Sequence, residues 1–500
     1  MAIAIPKAPS TLTPARETHL LILAIVLIAL FALRAMSLAL SSTSLGFDEA
    51  QYWAWSQNLT LGYFTKPPLI AWLIGGTTTL CGDGALCVRM PANLLHIASS
   101  VLAYAAGRQL YDWRVGFWSA IVYATIPGVA VSSYLMTTDV PLIFFWFVAL
   151  IAFHAHLHAP RLATGMALGL AVGLGLNAKY AMIFFVLCAV LYVAATRPSR
   201  KVVAAPSTWL ALAIAALLIA PNMLWNLSNG FATFEHTVND NMEWGGLDLH
   251  PKDALEFLVT QFGVLGPVIF GAYLVLLFTG RRTDKPESDR FLLFLSLPVF
   301  LLITLQALMS QAEANWSATA FPAAVILTTA HLLIPRYSVS FLASLAINGA
   351  IALFAIGGIM MITPANVPAK SLRPVHQIFG GEDLRNGLIA ALEPAGVETV
   401  VAEGRAMTAE VIHALRGTYY DVRALVMPGA APSNDFEKTR PWTPDMALPV
   451  ILVRGAGSGE PEFLSGRKSL IGIIESPSLK LRYGVLNIWK VEPPETGSSA

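Results

Sequence analysis

The sequence predicts a polytopic α-helical membrane protein that ends in a small α/β domain, and three observations carry that expectation. Of its 500 residues, 55% are hydrophobic and 13% charged, with a mean hydropathy of +0.61, whereas soluble domains run at about 45–50% apolar and 25% charged. Apolar runs of bilayer-spanning length recur from His19 to Ile362. Beyond Ile362 the pattern changes to short β-type runs mixed with charges. The net charge of +1 is uninformative about nucleic acid, but no Lys/Arg block is long enough to track a phosphate backbone, so no nucleic-acid partner is expected.

The first apolar run, 19–40, follows a polar start bearing Lys7 and Arg16. It exceeds the roughly 7–15 apolar residues of a secretory signal and no clean small-x-small site precedes the acids beyond it, so it reads as an uncleaved span. Arg34, near its outer end, either snorkels to headgroups or binds a lipid phosphate. Further spans are expected at 88–110, 113–134, 140–157, 162–176, 181–196, 208–227, 254–279, 291–309, 318–334 and 341–362. The total is about eleven, with the runs 71–80 and 177–179 ambiguous.

Charge asymmetry sets the orientation. With the N-terminus inside, Arg108, Arg114, Arg161, Arg197, Arg200, Lys201, Arg281, Arg282 and Arg336 fall on the cytoplasmic side, leaving only Lys66, Arg89, Lys179 and Lys252 in outer loops. The acids gather outside: Asp48, Glu49, Asp83, Asp139 and Glu313 all lie at outer ends of spans or in outer loops. An outward-opening cavity lined by carboxylates, two lysines and aromatics follows. Cys81 and Cys87 flank a Gly-rich turn on this oxidising side, where a disulfide is allowed though not required by spacing, and Cys188 lies mid-membrane.

The stretch GFDEAQYWAWSQNLTLGYFTKPP, 46–68, lies in the first outer loop, 41–87, and concentrates the chemistry. Asp48 can cap the aromatic helix that follows or act as a base. Glu49 sits in the first turn, where the helix dipole favours an acid. Tyr52, Trp53 and Trp55 suit a membrane interface. Asp139 opens a span with Pro141 close behind, as an N-terminal acid would, and Lys179 and Tyr180 mark an outer turn. Glu313, Asn315 and Trp316 lie in another outer loop, where Trp316 also reads as an interfacial anchor.

The C-terminal part, 363–500, follows a Pro-rich linker and shows β-type runs at 398–402, 424–427, 450–454, 470–475 and 485–491, with a helical run at 408–416. AlaGluGlyArg, 402–405, reads as a plain strand-to-helix connection in preference to an anion-binding turn. The GxG at Gly455 and Gly457 has no third glycine and supports no dinucleotide site.

The runs GFDEAQYWAWS, LGYFTKPPLIAWL, VRMPANLL, TTDVPLIFFW, NAKYAMIFF and EANWSATAFP resemble the bacterial polytopic glycosyltransferases of the GT-C type. That group includes protein O-mannosyltransferase relatives, aminoarabinose lipid A transferases and rhizobial galacturonosyltransferases. NDFEKTRP, 434–441, is similar to a string in the outer domain of some members. The resemblance implies a GT-C module over 1–362, a periplasmic domain over 363–500, and residence in the bacterial inner membrane with the N-terminus cytoplasmic. It implies inverting transfer of a sugar from a polyprenyl-phosphate donor to a lipid A, lipopolysaccharide or protein acceptor.

On this resemblance Asp48 is the catalytic acid of the first loop, a general base for a hydroxyl acceptor. Lys66, Lys179 and Arg34 are expected to bind the donor phosphate, since cations offset the charge a leaving phosphate gains. Glu49, Tyr52, Asp139, Tyr180, Glu313, Asn315 and Trp316 are expected to contact substrate. Thr65 stands where some relatives carry an acid, so if that acid assists a metal this chain has lost a ligand, and a divalent metal is left open as a cofactor; His236, Asp240, Glu243 and His250 offer ligand types without fixing a geometry. The alternative class is a transporter or assembly subunit for lipid-linked sugars. A transporter should show repeats and broken helices at the bilayer midplane, and no convincing half-to-half similarity is seen.

Overall fold

The computed structural model describes residues 14–233, 249–279, 284–363, 377–480 and 482–494. Among the described residues sixteen α-helices precede the C-terminal part: α1 (Pro14–Leu40), α2 (Phe47–Ser56), α3 (Leu69–Cys81), α4 (Ala85–Leu110), α5 (Trp113–Thr125), α6 (Pro127–Ser132), α7 (Asp139–His158), α8 (Leu162–Ala178), α9 (Ile183–Ala195), α10 (Pro206–Ser228), α11 (Pro251–Val264), α12 (Pro267–Thr279), α13 (Pro286–Phe294), α14 (Leu297–Met309), α15 (Phe321–Leu332) and α16 (Ser338–Met361).

Among the described residues six helical stretches are long and apolar enough to cross a membrane, or seven if the bent pair Tyr180–Ala195 and Arg197–Ala204 forms one span. The sequence expectation of about eleven does not reappear as eleven long helices, and the breaks have local causes. Pro127 starts α6 directly after Ile126, whose extended ψ of 143° ends α5. Gly266 adopts φ +89°, which divides the expected 254–279 span into α11 and α12. The ambiguous run 71–80 forms α3, a shorter apolar helix.

Helix contacts follow from side-chain size. Gly165, Gly169 and Gly173 repeat every fourth residue along α8, the small-xxx-small spacing that lets membrane helices approach closely. A Cβ at Gly169 would lie 2.5 Å from the Ala211 carbonyl oxygen of α10, so the backbones touch at a distance no larger residue permits. By contrast α15 is buried on every side and mostly apolar, with Thr328, Thr329 and His331 as its buried polar residues, as suits a central member of the bundle.

The C-terminal part contains α17 (Gly381–Leu392), β1 (Thr399–Ala402), α18 (Gly404–Ala414), β2 (Asp421–Leu425), α19 (Asp435–Thr439), β3 (Pro441–Trp442), β4 (Val450–Gly455), β5 (Arg467–Ile474), α20 (Pro477–Lys480) and β6 (Leu486–Glu492). The sheet order is β3-β2-β1-β4-β6-β5. Strands β3, β2, β1 and β4 run parallel, while β6 pairs antiparallel with β4 and β5. The two-residue edge β3 was not expected from sequence, because Pro441 and Trp442 carry no strand periodicity.

Helix α2 packs against both the bundle and the C-terminal part. Its Tyr52, Trp53 and Trp55 form one buried cluster with Ile70, Ile74 and Val88 of the bundle and with Ala409, Ala424 and Phe436 of the C-terminal part. The stretch carrying Asp48 is thereby gripped from both sides.

Candidate active site

The first loop is positioned by bonds to α10 and to the C-terminal part. Leu61 O accepts from Asn222 Nδ2 at 2.8 Å, and Tyr63 O accepts from the Thr233 hydroxyl at 2.8 Å. A Cβ at Gly62 would meet the Trp225 ring at 2.5 Å, so this loop presses on α10 where only glycine fits. Asp435 Oδ2 accepts from Trp55 Nε1 at 2.9 Å, which gives the NDFEKTRP string its place: it docks the C-terminal part onto α2. Cys81 and Cys87 are joined by a disulfide with Cα atoms 5.9 Å apart, tying α3 to α4.

Asp48, Lys66, Asp139 and Lys179 come together at one end of the bundle. Lys179 Nζ donates to Asp139 Oδ1 at 2.7 Å, and Asn315 Nδ2 donates to Asp139 Oδ2 at 2.7 Å. Asp139 is therefore the hub of the expected substrate residues from three separated stretches. Lys66 is half-buried, and its ammonium has no hydrogen bond or ion pair among the described residues. Burial, followed by the neighbouring Lys179 charge, lowers its pKa to about 8, against the opposing pull of Asp48 and Asp139. A partly dehydrated ammonium without a carboxylate of its own is suited to receive an anion.

Asp48 is half exposed and faces Arg405 of α18, whose Nη1 donates to Asp48 Oδ1 at 3.0 Å and to Gln51 Oε1 at 2.8 Å. Tyr52 is buried one turn after Asp48; burial first, then the Asp48 charge, holds its phenol well above the ordinary range and hence protonated. Tyr180 donates to Asn222 Oδ1 at 2.7 Å and accepts from Asn226 Nδ2 at 3.1 Å. It braces α10 beneath the loop. Glu313 is exposed at the start of the turn carrying Asn315, and Trp316 packs partly buried against the main core.

Two expected contacts are corrected. Glu49 is buried, and its oxygens accept from Arg89 Nε at 2.9 Å, Arg89 Nη2 at 2.6 Å, Met136 N at 3.0 Å and Gly46 N at 3.1 Å. With its lone pairs so occupied, it holds the loop to α4 and leaves nothing for a substrate. Arg34 is fully buried, with Nη2 donating to Ala124 O at 2.7 Å. It lies among helices near Tyr123 and Tyr134, so it neither snorkels nor joins the lysines.

Of the suggested metal ligands, His236, Asp240 and Glu243 lie outside the described residues, and His250 faces Asp253 at 3.8 Å. Among the described residues no group of three or more His, Cys, Asp or Glu could hold a metal. Sequence reasoning missed Arg405, Gln51 and Asp435 as parts of the site. Gln51 follows Asp48 by three residues and so shares its helix face, a readable signal; Arg405 and Asp435 are brought in only by tertiary packing. A cavity of about 760 Å³, lined by Phe153, Leu168, Trp209 and Arg200 among others, lies at the opposite end of α7 from Asp139.

Residues 65–225 match the family described as dolichyl-phosphate-mannose-protein mannosyltransferase. Lipid A galacturonosyltransferase RgtD of Rhizobium johnstonii is 34% identical over 428 residues, covering 84% of this chain and 86% of that protein. Lipopolysaccharide core galacturonosyltransferase RgtA of the same organism is 28% identical over 325 residues, covering 57% and 64%. Among solved structures, ArnT from Cupriavidus metallidurans superposes with a TM-score of 0.65 in the apo state and 0.66 when bound to undecaprenyl phosphate. Each is 14% identical; coverage is 96% of this chain and 98% of that one in the first case, and 94% and 97% in the second. The fold is thus shared end to end with ArnT, and the chain belongs to the GT-C type of bacterial membrane glycosyltransferases, alongside the rhizobial galacturonosyltransferases.

Proposed function

We propose that this glycosyltransferase moves a hexuronosyl group, with inversion, from a polyprenyl-phosphate carrier to lipid A or the lipopolysaccharide core at the periplasmic face of the inner membrane. The observation that carries the reading is the convergence of Asp48, Lys66, Asp139 and Lys179 at one end of the bundle. Both relatives named as galacturonosyltransferases support the sugar class, and the undecaprenyl phosphate of the ArnT structure supports the carrier. In this reading the N-terminus is cytoplasmic, residues 1–362 form the membrane module, and residues 363–500 form the periplasmic domain.

The acceptor hydroxyl oxygen attacks C1 of the sugar while Asp48 takes its proton, and the C1–O bond breaks with its electron pair going to the carrier phosphate. Lys66 and Lys179 offset the charge that phosphate gains. Asp139 holds Lys179 in position, and Asn315 fixes Asp139. Water is the final sink for the proton on Asp48.

Purified protein carrying Asp48→Asn should lose about 10²–10⁴-fold in transfer rate while melting like the wild type. Unchanged transfer would overturn the role of Asp48. Absence of transfer by the wild type from any lipid-linked uronate would overturn the substrate reading. A C-terminal reporter that is active only in the periplasm checks the orientation.

A further inference from the structure

We infer that Arg405, with Gln51, reads the carboxylate of an acidic donor sugar and that this contact frees Asp48 to act. The inference rests on the transferase reading above and adds to it the residue that selects the substrate. The site holds three cations, Lys66, Lys179 and Arg405, against two carboxylates, Asp48 and Asp139. Only Lys66 lacks a partner among the described residues. One unpaired ammonium matches the single charge of a sugar phosphodiester. A hexuronosyl donor brings a second negative charge, so a second cation must change partners.

The two ion pairs differ in how readily they can exchange. Asp139 is 11% exposed in its side chain and has both oxygens bonded, by Lys179 and Asn315. Asp48 is 48% exposed and Arg405 34%, so water can re-solvate Asp48 when its partner leaves. Arg405 also lines an open cavity of about 320 Å³ with Glu403, Gly404, Arg454 and Tyr483, which gives its side chain room to move. Its planar fork suits a carboxylate better than an ammonium does.

Gln51 supplies the second donor. Its oxygen accepts from Arg405, and its Nε2, on the same amide, is buried without a hydrogen-bond partner among the described residues. Buried donors in native proteins are almost always satisfied, so this one points to a missing acceptor. A sugar carboxylate beside Arg405 is that acceptor. The exchange is balanced: the Asp48–Arg405 pair opens, an Arg405–uronate pair forms, and Asp48 is left as a free carboxylate beside the acceptor. A neutral sugar leaves Asp48 paired with Arg405.

The test compares polyprenyl-phosphate hexuronate as donor with the matching neutral hexose carrier as its competitive inhibitor, using the full-length protein in lipid nanodiscs. Arg405→Gln should raise KM for the hexuronosyl donor by about 10-fold or more and leave the inhibition constant of the neutral carrier within about twofold. Arg405→Lys, which keeps the charge at the interface, should recover part of the loss, and Gln51→Leu should show a smaller rise with the same selectivity. Equal weakening of both carriers, or a fall in kcat alone, would overturn the inference and leave Arg405 as an interdomain brace. Because wild-type transfer is measured in the same series, failure of the transferase reading shows separately, as no transfer at all.

Discussion

Two ion pairs flank the start of α2 from consecutive residues, and their difference separates support from chemistry. Successive helical residues point about 100° apart, so Asp48 turns toward Arg405 while Glu49 turns into the bundle and Arg89. The Glu49–Arg89 pair is 2.6 Å long with side chains 5% and 0% exposed, and its remaining hydrogen-bonding capacity is taken by Thr43, Ser44, Gly46 and Met136. The Asp48–Arg405 pair is half open to solvent. The same two charge types make a foundation where they are buried and fully bonded, and a movable contact where they are not.

The largest expected effect tests the foundation. Arg89→Ala leaves the Glu49 carboxylate buried and unpaired, and removing one partner of such a pair costs about 3–5 kcal/mol. Thermal denaturation in detergent should show most of that loss. Asp48→Asn, on the half-exposed pair, should cost under about 1 kcal/mol while removing transfer. The comparison breaks if the two variants exchange phenotypes.

How much of this the sequence made legible depends on the range of the forces involved. The apolar runs and the strands at 450–454 and 485–491 were readable, because hydrophobic periodicity is local. Asp48, Lys66, Asp139 and Lys179 were readable as candidates, because charge at the ends of apolar runs is conspicuous, and Asn315 was readable through the resemblance to the glycosyltransferases. What distinguishes Glu49 from Asp48 was not, since both are acids in the first turn of one helix and only the packing of α4 decides which is buried. Arg34 looked like an end-of-span residue; its environment depends on α5, which no window along α1 contains. Arg405 was read as part of a plain turn because its partner lies 357 positions earlier in the chain.

Lys66 sharpens the contrast between paired and unpaired charge within the site. Lys66→Met should lower kcat/KM by about 10²-fold, the usual scale for losing a contact to developing charge. Lys66 must be protonated to hold phosphate, and its pKa is lowered to about 8. The donor KM of the wild type should therefore rise as pH passes upward through about 8, and Lys66→Arg should abolish that rise. Stability moves the other way: between about 8 and the ordinary lysine value the unfolded chain binds more protons than the folded one, so folding becomes more favourable with rising pH. A KM flat across this range would mean that Lys66 does not carry the phosphate.

The smallest effect concerns Asp435, another carboxylate bonded to α2, which is buried like Glu49 yet has no salt bridge among the described residues. Burial raises its pKa above the usual carboxylate range, with the bonds from Phe64 N and Trp55 opposing. The folded state thus binds the proton more tightly than the unfolded one, and its contribution to stability is present at low pH and falls as pH rises through the shifted range. Asp435→Asn keeps an acceptor for Trp55 and removes the buried charge, so it should cost less than about 1 kcal/mol and erase that fall. Asp435→Ala leaves Trp55 Nε1 buried without an acceptor and should cost about 1–3 kcal/mol. If Asn proves as damaging as Ala, the carboxylate charge itself contributes to docking, and burial alone does not separate the supporting acids from the reactive one.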